Sequence, residues 1–340
     1  MKSAINHFFR KYFEPQAAVL MYHRVAEPEA DVWDIAVSPD NFDYQLQILK
    51  QSRHVIPLKN LVENIKNNKV KKNSIAITFD DGYADNFLAA KPLLEKYDLP
   101  ATFFITSSNI GQKTEFWWDE LQNLVLFTPV LPDTISITIN GKRIAENLGD
   151  EATLTEKQRR QNHSWKACDQ AAPSVRCKLY FQLWEQLKPL PHTEQQLQLD
   201  KLWNWANGTT KTARPAYKSM THEQVQQLSS TGLFDIGCHT ISHAALSCYN
   251  LQVQRTEMLV NRRFLNDITG QETTLISYPY GNYNSDTLLA AADAGLEAAF
   301  TSDEQLVNSR THPYKLGRFQ VKNSTPETFE KQLSQQRSRR

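Results

Sequence analysis

The chain has 340 residues, 38 Lys+Arg against 37 Asp+Glu, and 40% hydrophobic residues. A net charge of +1 leaves no basic footprint of the kind that binds nucleic acid, and the longest apolar runs fall short of a membrane-spanning helix. Cys168, Cys177, Cys238 and Cys248 form no CxxC pair, which argues against a cysteine zinc site; with no export signal in "MKSAINHFFRKYFEP" they read as reduced thiols of a cytoplasmic protein.

The N-terminus comes first in chain order. Ile5, Phe8, Phe9, Tyr12 and Phe13 share one face of a helix over about 3–13, with Lys2, Arg10 and Lys11 largely off it. Such a segment can dock on the fold or touch an anionic membrane surface, and docking is the commoner fate. "AAVLMYH" then reads as a strand. "SPDNFDYQLQILKQ" reads as a helix with Ser38 as N-cap and Pro39 at its first position. "HVIPL" is a short strand, "KNLVENIKNN" a helix, "SIAITF" a strand, "ADNFLAAKPLLEKY" a helix and "ATFFIT" a strand.

Between about Gly111 and Ala216 the alternation breaks. "DTISITINGKRIAEN" predicts a hairpin turning at Asn140-Gly141, followed by polar helices over 155–187 and 194–205. Six of the seven tryptophans lie here, so residues 112–215 read as an insertion subdomain, most of whose tryptophans build its own core. Trp117 and Trp118 follow a strand end closely and are the candidates to face a site. The rhythm then returns: "THEQVQQLSSTG" with a Thr221–Gln224 capping box, the strand "LFDIGCH", the long helix "LQVQRTEMLVNRRFLNDITG", then "TLISYPY", "SDTLLAAADAG", "EAAFTS", "KLGRFQV" and a last helix near "PETFEKQL". Regular βα alternation implies a parallel sheet wrapped by helices, closed or nearly closed into a barrel over residues 1–111 and 216–340.

In such barrels chemistry sits where strands end. His23, Asp80, Asp81, His239 and Tyr280 all fall at predicted strand ends. The run "ITFDDGYADNF" sets two carboxylates side by side, which is costly unless a metal ion and a proton separate their roles. A solvated Asp-Asp-Gly turn is the alternative. His239 and His243 in "HTISH" would face one way if the chain turns helically after its strand, and two histidines with one carboxylate suit a divalent metal with open positions. Cys238, alternating with His239, reads as core.

Taken together, "LMYHRV", "ITFDDGYADNF", "LPATFFIT", "IGCHTISHAALS" and "SYPYGNYN" resemble the polysaccharide deacetylase family with the NodB homology domain, carbohydrate esterase family 4, in the family's order. The resemblance implies a distorted (β/α)7 barrel and a metal-dependent hydrolase acting on an acetylated carbohydrate. It implies Asp80 as general base, Asp81, His239 and His243 as ligands of a divalent metal, most simply Zn2+, and the Tyr280 backbone N–H as oxyanion donor. Two departures stand out. Ser277 occupies the place of an Arg that pairs with the base in many members, with Arg318 as a candidate replacement. The late L-x-H motif that carries the general acid is absent, leaving His23 and His312 as candidates. These departures keep open a weakened glycan-binding relative; an O-acetyl esterase on the same scaffold is a further alternative.

Overall fold

The computed structural model describes residues 15–52, 54–207 and 213–338; the N-terminal amphipathic segment therefore lies outside the described residues. Eight parallel strands form one curled sheet in the order β11-β10-β9-β6-β5-β1-β12, with β4 pairing alongside β5. These are β1 (Ala18–Tyr22), β4 (His54–Val55), β5 (Ser74–Phe79), β6 (Ala101–Ile105), β9 (Phe234–Cys238), β10 (Leu275–Ser277), β11 (Ala298–Phe300) and β12 (Phe319–Gln320). The short pair β2 (Arg24–Val25) and β3 (Ala36–Val37) sits apart. The two edges of the sheet approach one another through a single strap: Leu316 bridges to Phe300 of β11, and three residues later Phe319 pairs with Leu20 of β1. Distorted barrel closure thus depends on residues 316–320.

Both faces of the sheet are apolar, as expected for a parallel sheet buried on two sides. One set of side chains, including Val19, Ala76, Phe104, Leu275, Ala298 and Phe300, clusters with Leu61, Val62 and Ile65 of the helix α2 (Leu58–Lys66). The alternate set, including Leu20, Ile77, Phe103 and Ile236, packs beneath helices such as α1 (Pro39–Ser52), which buries Phe42, Leu46 and Leu49. Cys238 belongs to this second cluster and is fully buried, and all four thiols are unpaired. Gly237 pairs with Phe104, whose ring occupies the space a Cβ would need: that atom would lie 2.4 Å from the ring.

Several predicted elements are shorter or broken. "HVIPL" ends as a strand after Val55, because Pro57 starts α2 as its N-cap. The predicted helix over "ADNFLAAKPLLEKY" is a π-turn segment (Asn86–Ala90) running into the short α3 (Lys91–Lys96). Pro92 has no N–H to donate to the preceding turn, so the hydrogen-bond register shifts there. The capping box at Thr221 is formed as read, opening the helix His222–Ser230.

Among the described residues, no strand of the large sheet comes from 106–233. That stretch begins with α4 (Trp117–Gln122) and then forms the hairpin of β7 (Thr134–Ile139) and β8 (Lys142–Asn147), whose Asn140 and Gly141 both take positive φ, 51° and 74°. Helices α5 (Glu156–Ser164), α6 (Val175–Leu187) and α7 (His192–Trp205) follow, the predicted 155–187 helix being split before Pro173. Trp165 and Trp203 are buried in its core, but that core also takes in Ala30, Val32 and Tyr83 and packs against Trp33 and Tyr280. Its apolar surface is continued by barrel loops. No described helix is long and apolar enough to cross a membrane.

Candidate active site

β5 delivers Asp80 and Asp81 to the strand-end rim of the barrel. The Gly82 N–H donates back to the Asp80 carbonyl at 3.0 Å, closing a tight turn around Asp81, whose φ is 75°. This turn gives the neighbouring carboxylates different surroundings. Gly82 itself has φ 95°, a region an L side chain rarely adopts.

Asp80 is gripped by Arg318. The guanidinium donates from Nη1 to Oδ1 at 2.7 Å and from Nη2 to Oδ2 at 2.7 Å, with the Ser277 hydroxyl donating to Oδ2 at 3.0 Å. Arg318 is itself held by the Thr301 carbonyl, Thr78 Oγ1 and Ser277 Oγ. Arg318 and Asp80 are 1% and 3% exposed, so this is a desolvated bidentate pair. Burial pushes the Asp80 carboxyl up, but the Arg318 guanidinium and the nearby His239 outweigh it and hold the group below its ordinary value.

Asp81 faces the histidines. Its Oδ1 lies 3.4 Å from His239 Nε2 and 3.2 Å from His243 Nε2. The three ligand atoms fall within 4.8 Å of one another, all on buried residues. Burial works against an Asp81 anion, yet contacts from His239 and His243 keep the carboxyl well below its usual range. The predicted helical turn over "HTISH" is absent. The loop is irregular, and Thr240 (φ 65°) and His243 (φ 55°) adopt left-handed backbone instead. The helix α9 (Leu251–Thr269, after α8, His222–Ser230) fixes it. Asn261 Oδ1 accepts from the His239 N–H, while Glu257 accepts from Ile241 N, Ser242 N and Ser242 Oγ. Glu257 and Asn261 are four apart on one helix face, so one helix sets both ends of the loop. The Ser277 carbonyl accepts from His239 Nδ1 at 2.8 Å, which fixes the ring with its Nε2 turned toward Asp81.

Left-handed backbone concentrates here. Of the ten described non-glycine residues with positive φ, seven are Asp or Asn; the other three are Thr240, His243 and Tyr280 (φ 59°). Strain of about 1–3 kcal/mol per residue persists only where surroundings enforce it.

The residues surround a cavity of about 320 Å³. His23, Asp80, Asp81, Trp118, His239, His243, Tyr280 and Arg318 all line it. His23 follows β1 directly, and its buried Nδ1 has no hydrogen-bond partner. His312 is exposed in a distant loop, where its Nδ1 accepts from the Tyr314 N–H. Trp118 stands 4.6 Å from the His243 ring, with its indole N–H donating to Tyr83 Oη at 2.8 Å; Tyr83 in turn donates to Asp119 at 2.7 Å. Burial pushes the Asp119 carboxyl up to about 7. Trp117 is outside this cavity and lines a smaller neighbouring one. Sequence reasoning missed Trp33, Trp184 and Lys188, which also line the main cavity. Trp33 carried no signal because its loop has no periodicity, and Trp184 sits in a helix whose pattern reads as core.

The donor set fits a metal ion. Asp81 Oδ1 is buried without a hydrogen-bond partner, and two imidazole Nε2 atoms converge on it. One carboxylate oxygen and two nitrogens form an open site for a borderline divalent ion. A parallel barrel whose strand-end rim carries a guanidinium-paired carboxylate beside such a set has the layout of a hydrolase. Residues 67–127 and 203–299 match the polysaccharide deacetylase family model. The chain is 21% identical over 305 residues to YxkH of Bacillus subtilis (strain 168), covering 89% of this chain and 70% of that protein. It is 31% identical over 116 residues to the poly-β-1,6-N-acetyl-D-glucosamine N-deacetylase of Staphylococcus aureus (strain MSSA476), covering 30% of this chain and 40% of that enzyme. Two solved structures share the fold: Streptococcus pyogenes deacetylase PplD in complex with acetate (TM-score 0.53, 21% identity, 94% of this chain and 98% of that one) and IcaB from Ammonifex degensii (0.57, 16%, 94% and 96%). The family model covers less than half of the chain, and these matches make the chain similar to the polysaccharide deacetylases, with the fold of those enzymes.

Proposed function

We propose that this protein is a metal-dependent deacetylase that removes the acetyl group from an N-acetylated sugar residue of a polysaccharide or glycan precursor, with zinc held by Asp81, His239 and His243. The observation that carries this reading is the division of the two carboxylates: Asp80 is locked to Arg318, while Asp81 leaves an unpartnered oxygen between two imidazoles. When bound, the ion supplies Lewis acidity, polarising an amide carbonyl and easing loss of a proton from water.

The chain's own groups supply the rest. Asp80, kept ionised by Arg318, accepts the proton of the attacking water. The Tyr280 N–H, presented by a left-handed residue beside the cavity, donates to the oxygen on which negative charge develops. His23 gives a proton to the departing nitrogen, so that acetate and a free amine leave. A weakened relative would be expected to lack the guanidinium and the proton donor. Arg318 in contact with Asp80, and His23 lining the same cavity, support an active enzyme instead.

The test combines elemental analysis with acetate release. Purified protein should hold about one zinc per chain and release acetate from oligomers of N-acetylglucosamine. An O-acetylated oligosaccharide is the comparison substrate. Acetate from the ester alone replaces the amidase reading with the esterase one; stoichiometric metal with no release from either substrate favours a binding protein.

A further inference from the structure

One wall of the cavity is shared by the insertion and the loop that carries Trp33, and the side chains of Trp33, Trp184 and Lys188 have no part in the chemistry above. Trp184 of α6 lies against Trp33 with ring centroids 4.3 Å apart and planes tilted by 37°, and stands edge-on to Tyr280 at 6.0 Å. Above these rings lies Lys188, its Nζ 4.9 Å from the Trp184 ring and 4.4 Å from the Tyr280 ring. The Tyr280 ring is in turn 4.3 Å from that of His243. The ammonium is therefore one aromatic ring away from the candidate metal ligands.

Lys188 is half-buried, lines the cavity, and has no carboxylate within ion-pair distance among the described residues. The other strong cation of the cavity, Arg318, is committed to Asp80. Burial lowers the Lys188 ammonium below its ordinary value, so the group is held in partly desolvated surroundings without an anion to offset the cost. With Asp80 neutralised by Arg318 and Asp81 by a divalent ion, the loaded cavity carries net positive charge. An aromatic pair beside an unspent ammonium suits a sugar ring that bears an acidic substituent.

We propose that Lys188, Trp33 and Trp184 form a subsite for an acidic sugar residue, carrying a carboxylate or a phosphate, next to the acetamido sugar that reacts. The position of the reacting sugar rests on the deacetylase reading; the anion subsite needs only the bound ion of that reading, not its chemistry. Binding is read by stopped-flow tryptophan fluorescence on the zinc-loaded full chain, before turnover. The probes are the N-acetylglucosamine tetramer, a tetrasaccharide alternating N-acetylglucosamine with glucuronate, and N-acetylglucosamine 1-phosphate. At least one acidic probe should bind at least about tenfold more tightly than the neutral tetramer at low salt. Which one does distinguishes uronate from phosphate. Lys188→Gln should weaken the acidic probe at least about tenfold more than the neutral one, and Lys188→Arg should retain the preference. Equal binding of all probes by the wild type, or a preference that survives Lys188→Gln, overturns the proposal. Acetate release is measured in parallel. Charge-selective binding without release refutes the deacetylase reading and leaves the subsite standing, and release without charge selectivity does the opposite.

Discussion

Replacing Arg318 by Met probes the pair on which Asp80 depends. Arg318 and Asp80 are 1% and 3% exposed and joined by two bonds of 2.7 Å. Removing one partner of a buried pair typically costs about 3–5 kcal/mol, because the other charge stays buried and uncompensated. For 340 residues, an unfolding entropy of about 2.1 cal/mol/K per residue makes this a fall in Tm of roughly 4–7 °C if the chain unfolds as one unit. A second effect follows from the sign of the shift. In the native protein Asp80 titrates below its unfolded value, so it contributes stability above the unfolded pKa, near 4, that is lost as pH falls through the lower folded value. In Arg318→Met burial acts with its main opponent gone, so the Asp80 pKa rises. The stability contribution then reverses, and the acid limb of the kcat/KM profile moves to higher pH. Thermal melts from pH 4 to 8, with pH–rate profiles of wild type, Arg318→Met and Arg318→Lys, measure both. Lys restores charge but not the two-pronged geometry and should lie between the other two. An Arg318→Met protein with an unshifted acid limb and a Tm within about 1 °C of wild type would refute the reasoning.

Asp80→Asn should reduce turnover by about 10²–10⁴-fold while retaining metal, whereas Asp81→Ala should lose the metal, both read by elemental analysis beside an acetate assay. Gly237→Ala should destabilise by about 1–3 kcal/mol, because its Cβ meets the Phe104 ring at 2.4 Å; urea unfolding would show the loss. Asp119, pushed up to about 7 by burial, binds its proton more tightly in the folded state. It therefore contributes stability that is present below about pH 4 and lost as pH rises through about 7. Asp119→Asn should flatten the dependence of Tm on pH between 5 and 8, and an unchanged slope would contradict the assignment.

The strand-end residues were legible because βα alternation fixes where a strand stops, and Asp80, Asp81 and His239 each follow a run of buried β residues. What the sequence hid was backbone conformation. The spacing of His239 and His243 suggested a helical turn, yet left-handed Thr240 and His243 bring the imidazoles together, and no propensity favours a β-branched residue there. Arg318 was only a candidate because its partner lies 238 positions away. The cavity wall formed by Trp33, Trp184 and Lys188 was missed for a related reason. A helix pattern tells how much of a side chain is covered, not whether the covering neighbour belongs to the same subdomain.

The strap that closes the barrel has a consequence for the order in which the protein becomes functional. Synthesis delivers Asp80 and Asp81 first and His239 and His243 next, but Arg318 follows His243 by a further 75 residues. Until Leu316 and Phe319 dock between β11 and β1, Asp80 has no guanidinium partner, and two adjacent acids must share one emerging pocket. An unfinished or clipped chain would therefore favour a protonated Asp80, unable to accept a proton. If Asp80 is the base, as proposed, competence would arrive with β12, and a chain cut before Arg318 would be idle rather than unregulated.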